Sequence, residues 1–311
     1  MNQDSLESQF QGAVLGATIG YELGQRGKIG NARKSMSDLL SPNSSVQGGL
    51  VIAQGIQSLI QRQGFDPLDY WKPGETQTQI SGIERFKSGS EWAWMGLPLG
   101  LFFHDNLSAL QCLDWEGLEA ETNIQDGVLA MAGAIAYILT PNLELDHLIP
   151  NLLPRLDPET PLTDQLEQVQ ALLQQKASLE IAIRQLTQKV KVSSSERFDS
   201  QFEAENWTAF ALGLYCFLTT PQDYSLTVLR AGQTNYQPEI TASIGGALCG
   251  AYQGLSGISA KWRLTLPEKP LWLEIDPKIE NNSVESQSCE SKLLQLTHDL
   301  FAVWSGVYRK Q

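Results

Sequence analysis

The sequence predicts an all-α fold, and three observations carry that reading. Alternating, β-branched runs bounded by turn residues, the mark of sheets, do not recur along the 311 residues. Apolar residues return instead at three- and four-residue intervals through most of the chain. Glycines recur every fourth residue near both ends, at Gly12, Gly16 and Gly20 and again at Gly246, Gly250 and Gly254. That spacing stacks them on one helix face. A glycine inside a helix costs about 1 kcal/mol relative to alanine, so a bare ridge implies close approach of a second helix. In a bilayer the pattern marks dimerising helices, but the flanks here are too polar, and packing inside a soluble bundle is the expectation.

Taken in order, Phe10, Val14, Ala17 and Tyr21 share one face of a first helix, and Leu50, Ala53, Ile56 and Ile60 define a second. Segments 126–139, 206–218, 238–255 and 291–307 continue the pattern. In 163–192, Leu166, Val169 and Leu173, then Leu179, Ile183, Leu186 and Val190, alternate with Gln, Lys and Glu. This predicts one amphipathic helix or a hairpin of two, either with an ordinary polar outer face or as a coiled-coil surface for a protein partner. Pro, Gly, Asn and Ser gather at 24–47, 71–90, 140–164, 193–204 and 263–287, which read as loops. Residues 1–311 are expected to form a single domain.

Composition narrows the function classes. The chain is 42% hydrophobic and 18% charged, with a net charge of −13. An acidic surface repels phosphates and anionic lipid, so neither nucleic acid nor membrane is an expected partner. The N-terminus lacks a basic stretch leading into an apolar core, and the cytoplasm is the expected compartment. Cys112, Cys216, Cys249 and Cys289 form no CxxC pair, and the first three sit in apolar surroundings, where a thiol packs as a small hydrophobe. His104, His147 and His298 belong to no H-E-x-x-H motif, and no G-x-S-x-G elbow or P-loop is present. The glycines of 12–24 follow no strand, which rules out a dinucleotide-binding turn. Trp71, Trp92, Trp94 and Trp115 cluster in the first half, for core packing or for stacking on a ring.

Three segments carry a resemblance. Residues 10–24 read FQGAVLGATIGYELG, residues 94–102 read WMGLPLGLF, and residues 244–262 read IGGALCGAYQGLSGISAKW. They resemble, in the same order, the opening helix, the M-R-x-x-P-L-G-L segment and the late glycine-rich helix of ADP-ribosylglycohydrolases. The resemblance implies that family's all-α orthogonal helical bundle. It also implies two magnesium ions that bind ADP-ribose, held by aspartates of a T-D-D-T motif and a G-G-D-T-D-T motif; the family's opening helix also carries an aspartate after its third glycine.

Those aspartates are replaced. Asn43, Ser44 and Ser45 stand at the first motif, with the aspartate positions on Ser44 and Ser45. The second has two registers: Gln233, Thr234 and Asn235 by likeness of letters, or Gln237 and Glu239 counted back from Gly246 without a gap. Tyr21 stands for the opening aspartate, followed by Glu22. Neutral amides and hydroxyls still hydrogen-bond a sugar or a base edge, but they remove most of the attraction for a divalent ion. The expectation is therefore a catalytically inactive relative with no cofactor. Its partner would be an ADP-ribose-like small molecule at a pocket of Tyr21, Asn43, Ser44, Ser45, Gln233, Thr234 and Asn235, or a protein at 163–192. The alternatives are a scaffolding protein and an active ADP-ribosyl hydrolase, the latter using Glu22 and Glu239 as catalytic acids with Asp38.

Overall fold

Helices that lack side chains at every fourth position can lie backbone to backbone, and α1 (Leu6–Asn31) and α12 (Pro238–Gln253) do so. A methyl added at Gly12 would stand 2.2 Å from the Gly250 carbonyl oxygen, one at Gly16 2.2 Å from that of Gly246, and one at Gly20 2.1 Å from that of Ala242. At Gly24 it would stand 2.3 Å from the Pro238 carbonyl oxygen. Rising numbers on α1 meet falling numbers on α12, so the pair is antiparallel. Gly254 closes the ridge differently: at φ 71° it ends α12 in a conformation that suits glycine.

In the computed structural model the described residues are 5–31, 48–71, 86, 88–115, 122–141, 143–193, 207–264, 266 and 288–307. Among them every regular element is helical: α2 (Gly48–Arg62), α3 (Pro67–Tyr70), α4 (Gly89–Phe102), α5 (Leu107–Gln111), α6 (Thr122–Leu139), α7 (Leu148–Leu152), α8 (Pro161–Gln174), α9 (Leu179–Ser193), α10 (Thr208–Thr219), α11 (Tyr224–Gly232), α13 (Ala260–Arg263) and α14 (Cys289–Trp304) complete the set. No described helix is long and apolar enough to cross a membrane. The buried side chains form one continuous core, with Trp94, Trp207, Tyr215, Tyr224 and Phe210 among its largest members.

Helix directions follow from pairwise contacts. Gly96 lies against Val128 and Gly100 against Ala132, so α4 and α6 run the same way. Gly213 meets Thr241, and the Phe217 ring meets Tyr252 at 6.0 Å, so α10 runs with α12. The Gln165 amide donates to Thr208 at 3.1 Å, and the Tyr215 hydroxyl donates to the Ala177 carbonyl, aligning α8 with α10. The Phe210 N–H donates to Ser90 at 3.2 Å, and the Trp207 indole sits on Gly127. Gly48 backs onto Trp94, and Gly55 onto Pro98. The first turns of α2, α4, α6, α8, α10 and α12 therefore gather at one end of the bundle, where α1 finishes.

α14 docks across α1 and α2 and touches the end of α4. Phe10 meets Phe301 edge-on at 5.4 Å, and His104 lies between Phe10 and Trp304 at 5.5 and 4.6 Å. His298 reaches Glu7 at 2.7 Å, and Arg263 reaches Glu290 at 2.9 Å.

Several expectations change. α1 continues past Gly24, because that glycine accommodates α12 instead of ending a helix. α4 is not among the segments that periodicity marks. It contains Gly96, Pro98 and Gly100, and a proline inside a helix costs about 3 kcal/mol. The contacts of both glycines with α6 and the burial of Trp92, Trp94, Leu97 and Leu101 hold it helical. The interval 140–164 contains α7 and the tight turns Leu145–His147 and Leu153–Arg155. Segment 163–192 is a hairpin of two helices. Cys112 is exposed, while Cys216, Cys249 and Cys289 are buried, and all four are free thiols.

The close α1–α12 contact yields a signed prediction. Gly16→Ala is expected to lower the unfolding free energy by about 1–3 kcal/mol, because the backbone oxygen facing it cannot yield, and despite a propensity gain of about 1 kcal/mol. At Gly232 an added methyl meets nothing within 4 Å. Gly232→Ala should be neutral or stabilise by up to about 1 kcal/mol. Urea denaturation of the two variants reads both signs.

Candidate functional site

The end where α1 finishes and α12 starts is organised by one indole. Trp94, 1% exposed, donates from Nε1 to the Ser243 hydroxyl at 3.0 Å. Gly48 admits it: an added methyl there would stand 2.6 Å from the indole Cε2. Tyr21 meets the indole edge-on, with centroids 5.6 Å apart, and is itself only 4% exposed. Its hydroxyl accepts from the Gln25 amide at 3.0 Å. Four helices, α1, α2, α4 and α12, thus converge on a neutral, aromatic centre. Such edge-on aromatic pairs contribute about 0.5–1.5 kcal/mol beyond the area they bury.

Glu22 follows Tyr21 but points elsewhere, since successive helical residues diverge by about 100°. It is half-buried beside Cys289 of α14. Burial raises its carboxyl above the ordinary value, and the Arg26 charge opposes that rise. The Cys289 thiol is pushed up to about 12, first by burial and then by Glu22. Glu239 is 5% exposed, in the first turn of α12, and its backbone packs against Gly24. Glu22 thus belongs to the α14 side and Glu239 to the α12 start.

The two registers of the second motif have distinct places. Gln233 caps α11 and is exposed, and Asn235 is exposed in left-handed backbone at φ 56°. Thr234 is buried and donates to the Ala231 carbonyl at 2.7 Å, fixing the turn. Gln237 is the N-cap of α12 at φ 38°, and its side-chain oxygen is buried with no hydrogen-bond donor among the described residues. Gln237 and Glu239 lie within two turns of Ser243, the partner of Trp94. Gln233 and Asn235 lie on the exposed turn. Asn43, Ser44, Ser45 and Asp38 lie outside the described residues.

Other buried carboxylates stand at this end. Glu91 is 3% exposed in the first turn of α4, and Asp126, 4% exposed near the start of α6, accepts from the Asp157 N–H at 3.1 Å. Burial raises the Asp126 carboxyl, opposed by its bonds from Thr160 and Asp157. Among the described residues, no three of His, Cys, Asp and Glu come together as a metal-holding group. The three histidines stay apart: His104 bonds the Leu101 carbonyl, His147 lies beside Glu144, and His298 beside Glu7. Trp71 stacks on Trp115 at 5.2 Å, and Trp92 meets Phe86 at 4.3 Å.

Sequence reasoning names Tyr21 and Glu239, sets its pocket at Gln233, Thr234 and Asn235 in preference to Gln237, and misses the Trp94–Ser243 pair. Its signal would be a small residue at 48 and a serine at 243 opposite a large ring. Neither is visible without the alignment of four helices.

Comparisons with known proteins bear on this geometry. The search of curated proteins finds no match. A solved structure described as an "ADP-ribosylglycohydrolase-related protein complex" is similar over 97% of this chain and 100% of its own, with a TM-score of 0.59 and 15% identity, which shows the shared fold. The family model described as ADP-ribosylglycohydrolase matches residues 2–305. A match over nearly the whole chain, on an all-helical fold of the same kind, makes this protein a member of the ADP-ribosylglycohydrolase family.

Proposed function

We propose that this chain is a non-hydrolytic member of its family, with a binding or regulatory role. One observation carries the reading: where the family places an aspartate after the third glycine, this chain has Tyr21, buried edge-on against Trp94. Magnesium needs hard oxygen ligands in near-octahedral array, and a pair of ions needs several converging carboxylates. The groups described here are a tyrosine hydroxyl already bonded to Gln25, a serine already bonded to Trp94, the Gln237 amide and the Glu239 carboxylate, while among the described residues Glu91 and Asp126, also buried at this end, do not gather with it into a metal-holding group. With serines at positions 44 and 45 as well, this donor set does not fit two magnesium ions. It does suit hydrogen bonds to a neutral sugar or base edge.

A regulatory role through a protein partner would use the α8–α9 hairpin. Its inner face buries Leu162, Leu166, Val169, Leu172, Ala182 and Leu186, while Glu167, Gln174, Lys176, Glu180 and Arg184 are exposed. A partner would therefore meet a polar surface of mixed charge. The active-hydrolase reading has one feature in its favour, the buried Glu239 at the start of α12. In that case Glu239→Gln would abolish turnover.

Purified full-length protein, given ADP-ribosylated protein and ADP-ribosylated small molecules, is expected to release no ADP-ribose at any magnesium concentration. Turnover that rises with magnesium and disappears in Glu239→Gln would overturn the proposal. Calorimetric titration with ADP-ribose should give the same result in magnesium and in EDTA.

The aromatic centre should also be structural. Trp94→Ala is expected to cost about 3–5 kcal/mol. Tyr21→Asp should cost about 3 kcal/mol, since it leaves a cavity and a poorly solvated carboxylate, and should create no magnesium-dependent turnover. Denaturation midpoints and the same release assay check both variants.

A further inference from the structure

Two of the chain's three histidines hold the last helix, and their surroundings act on them in opposite senses. His104 donates from Nδ1 to the Leu101 carbonyl at 2.8 Å, which leaves its ring between Phe10 of α1 and Trp304 of α14. The charged group beside it is Asp105, which accepts from Trp304 Nε1 at 3.3 Å. His298, on α14, is exposed on one side, with Nδ1 2.7 Å from Glu7 of α1 and Asp299 next to it on its own helix.

We propose that α14 is a strap whose C-terminal turns mild acid releases, uncovering the aromatic face of α1 around Phe10. Burial lowers the His104 pKa, with the Leu101 carbonyl and Asp105 opposing. A histidine lowered in the docked state favours docking above its free value and loses that contribution as pH falls through the free value towards the docked one. The Glu7 hydrogen bond raises His298, against a small effect of burial. A raised histidine contributes fully below its free value and loses the contribution as pH rises through the docked one. Free histidine titrates at about 6.5. The two effects therefore meet there, and attachment of α14 peaks near pH ~6.5 and weakens on both sides.

The acid side has the larger structural consequence. A proton on His104 goes to Nε2, since Nδ1 already bonds the Leu101 carbonyl, and puts a charge on a half-buried ring packed between Phe10 and Trp304. Loss of that contact frees Phe301 and Trp304 together, because both rings rest on Phe10. On the alkaline side only the surface pair His298–Glu7 is lost, and the aromatic packing stays.

Hydrogen–deuterium exchange of the full chain from about pH 8 to about pH 5, corrected for intrinsic rates, tests this across the histidine range. Protection of 289–304 should peak near pH ~6.5. Below that it should fall by about tenfold for each unit by which His104 is lowered, while 238–253 stays unchanged. His104→Phe should abolish the acid loss, and His298→Gln should abolish the alkaline one. Protection of 289–304 that persists into acid, falls together with 238–253, or still falls in His104→Phe would overturn the proposal. Should His104→Phe not fold, the wild-type His104 ring followed by NMR decides: titration at or above the ordinary histidine value overturns the strap, and titration below it supports the strap.

Discussion

Backbone contact between α1 and α12 is the constraint on which the rest of the bundle depends. Glycines at 12, 16, 20 and 24 face Gly250, Gly246, Ala242 and Pro238 with no room for a methyl between them. Contacts this close bring carbonyl oxygens against Cα hydrogens, a weak attraction repeated along the seam. The seam also fixes an axial register between residues more than 200 positions apart in the chain, as the Tyr224 hydroxyl bonded to the Gly16 carbonyl at 3.0 Å does beside it. With that register fixed, Tyr21 comes level with Trp94 and Ser243, and Gly24 comes level with Glu239.

The centre built on that register is uncharged. An indole, a phenol, a serine and a glycine meet where four helices converge, and each polar atom of the group has its partner nearby. Geometry of this kind is stable by packing and needs no ion to neutralise it. The position of Tyr21 on α1 therefore links the sequence, the packing and the reading of function: one residue type, changed from acid to aromatic, alters both the local charge and the volume.

Much of this was legible in the sequence, for reasons that differ by element. The glycine spacing announced a close helix pair, because a four-residue repeat has few other uses in a soluble helix. The helices at 206–218, 238–255 and 291–307 appear within a few residues of those limits, since each carries a strong apolar period. α4 was hidden by its own glycines and proline, which tertiary contacts override. Of the pocket residues, Tyr21 could be placed by motif. The choice between Gln233 with Asn235 and Gln237 with Glu239 could not, because letters match the first pair and helix geometry brings the second to the α12 start. Trp94 and Ser243 are 149 positions apart, beyond the reach of any local pattern.

The common direction of α2, α4, α6, α8, α10 and α12 has an electrostatic consequence. Each helix brings roughly half a positive charge to the same end, and those partial charges would repel one another if left alone. Glu91 and Glu239 lie in the first turns of two of these helices and Asp126 just beyond the first turn of a third, all shielded from solvent. Negative charge there is favoured by the architecture itself, before any reaction is considered. A carboxylate retained at this end of a related bundle can thus be a counterweight to aligned dipoles, and only its convergence with other ligands marks it as an instrument of chemistry.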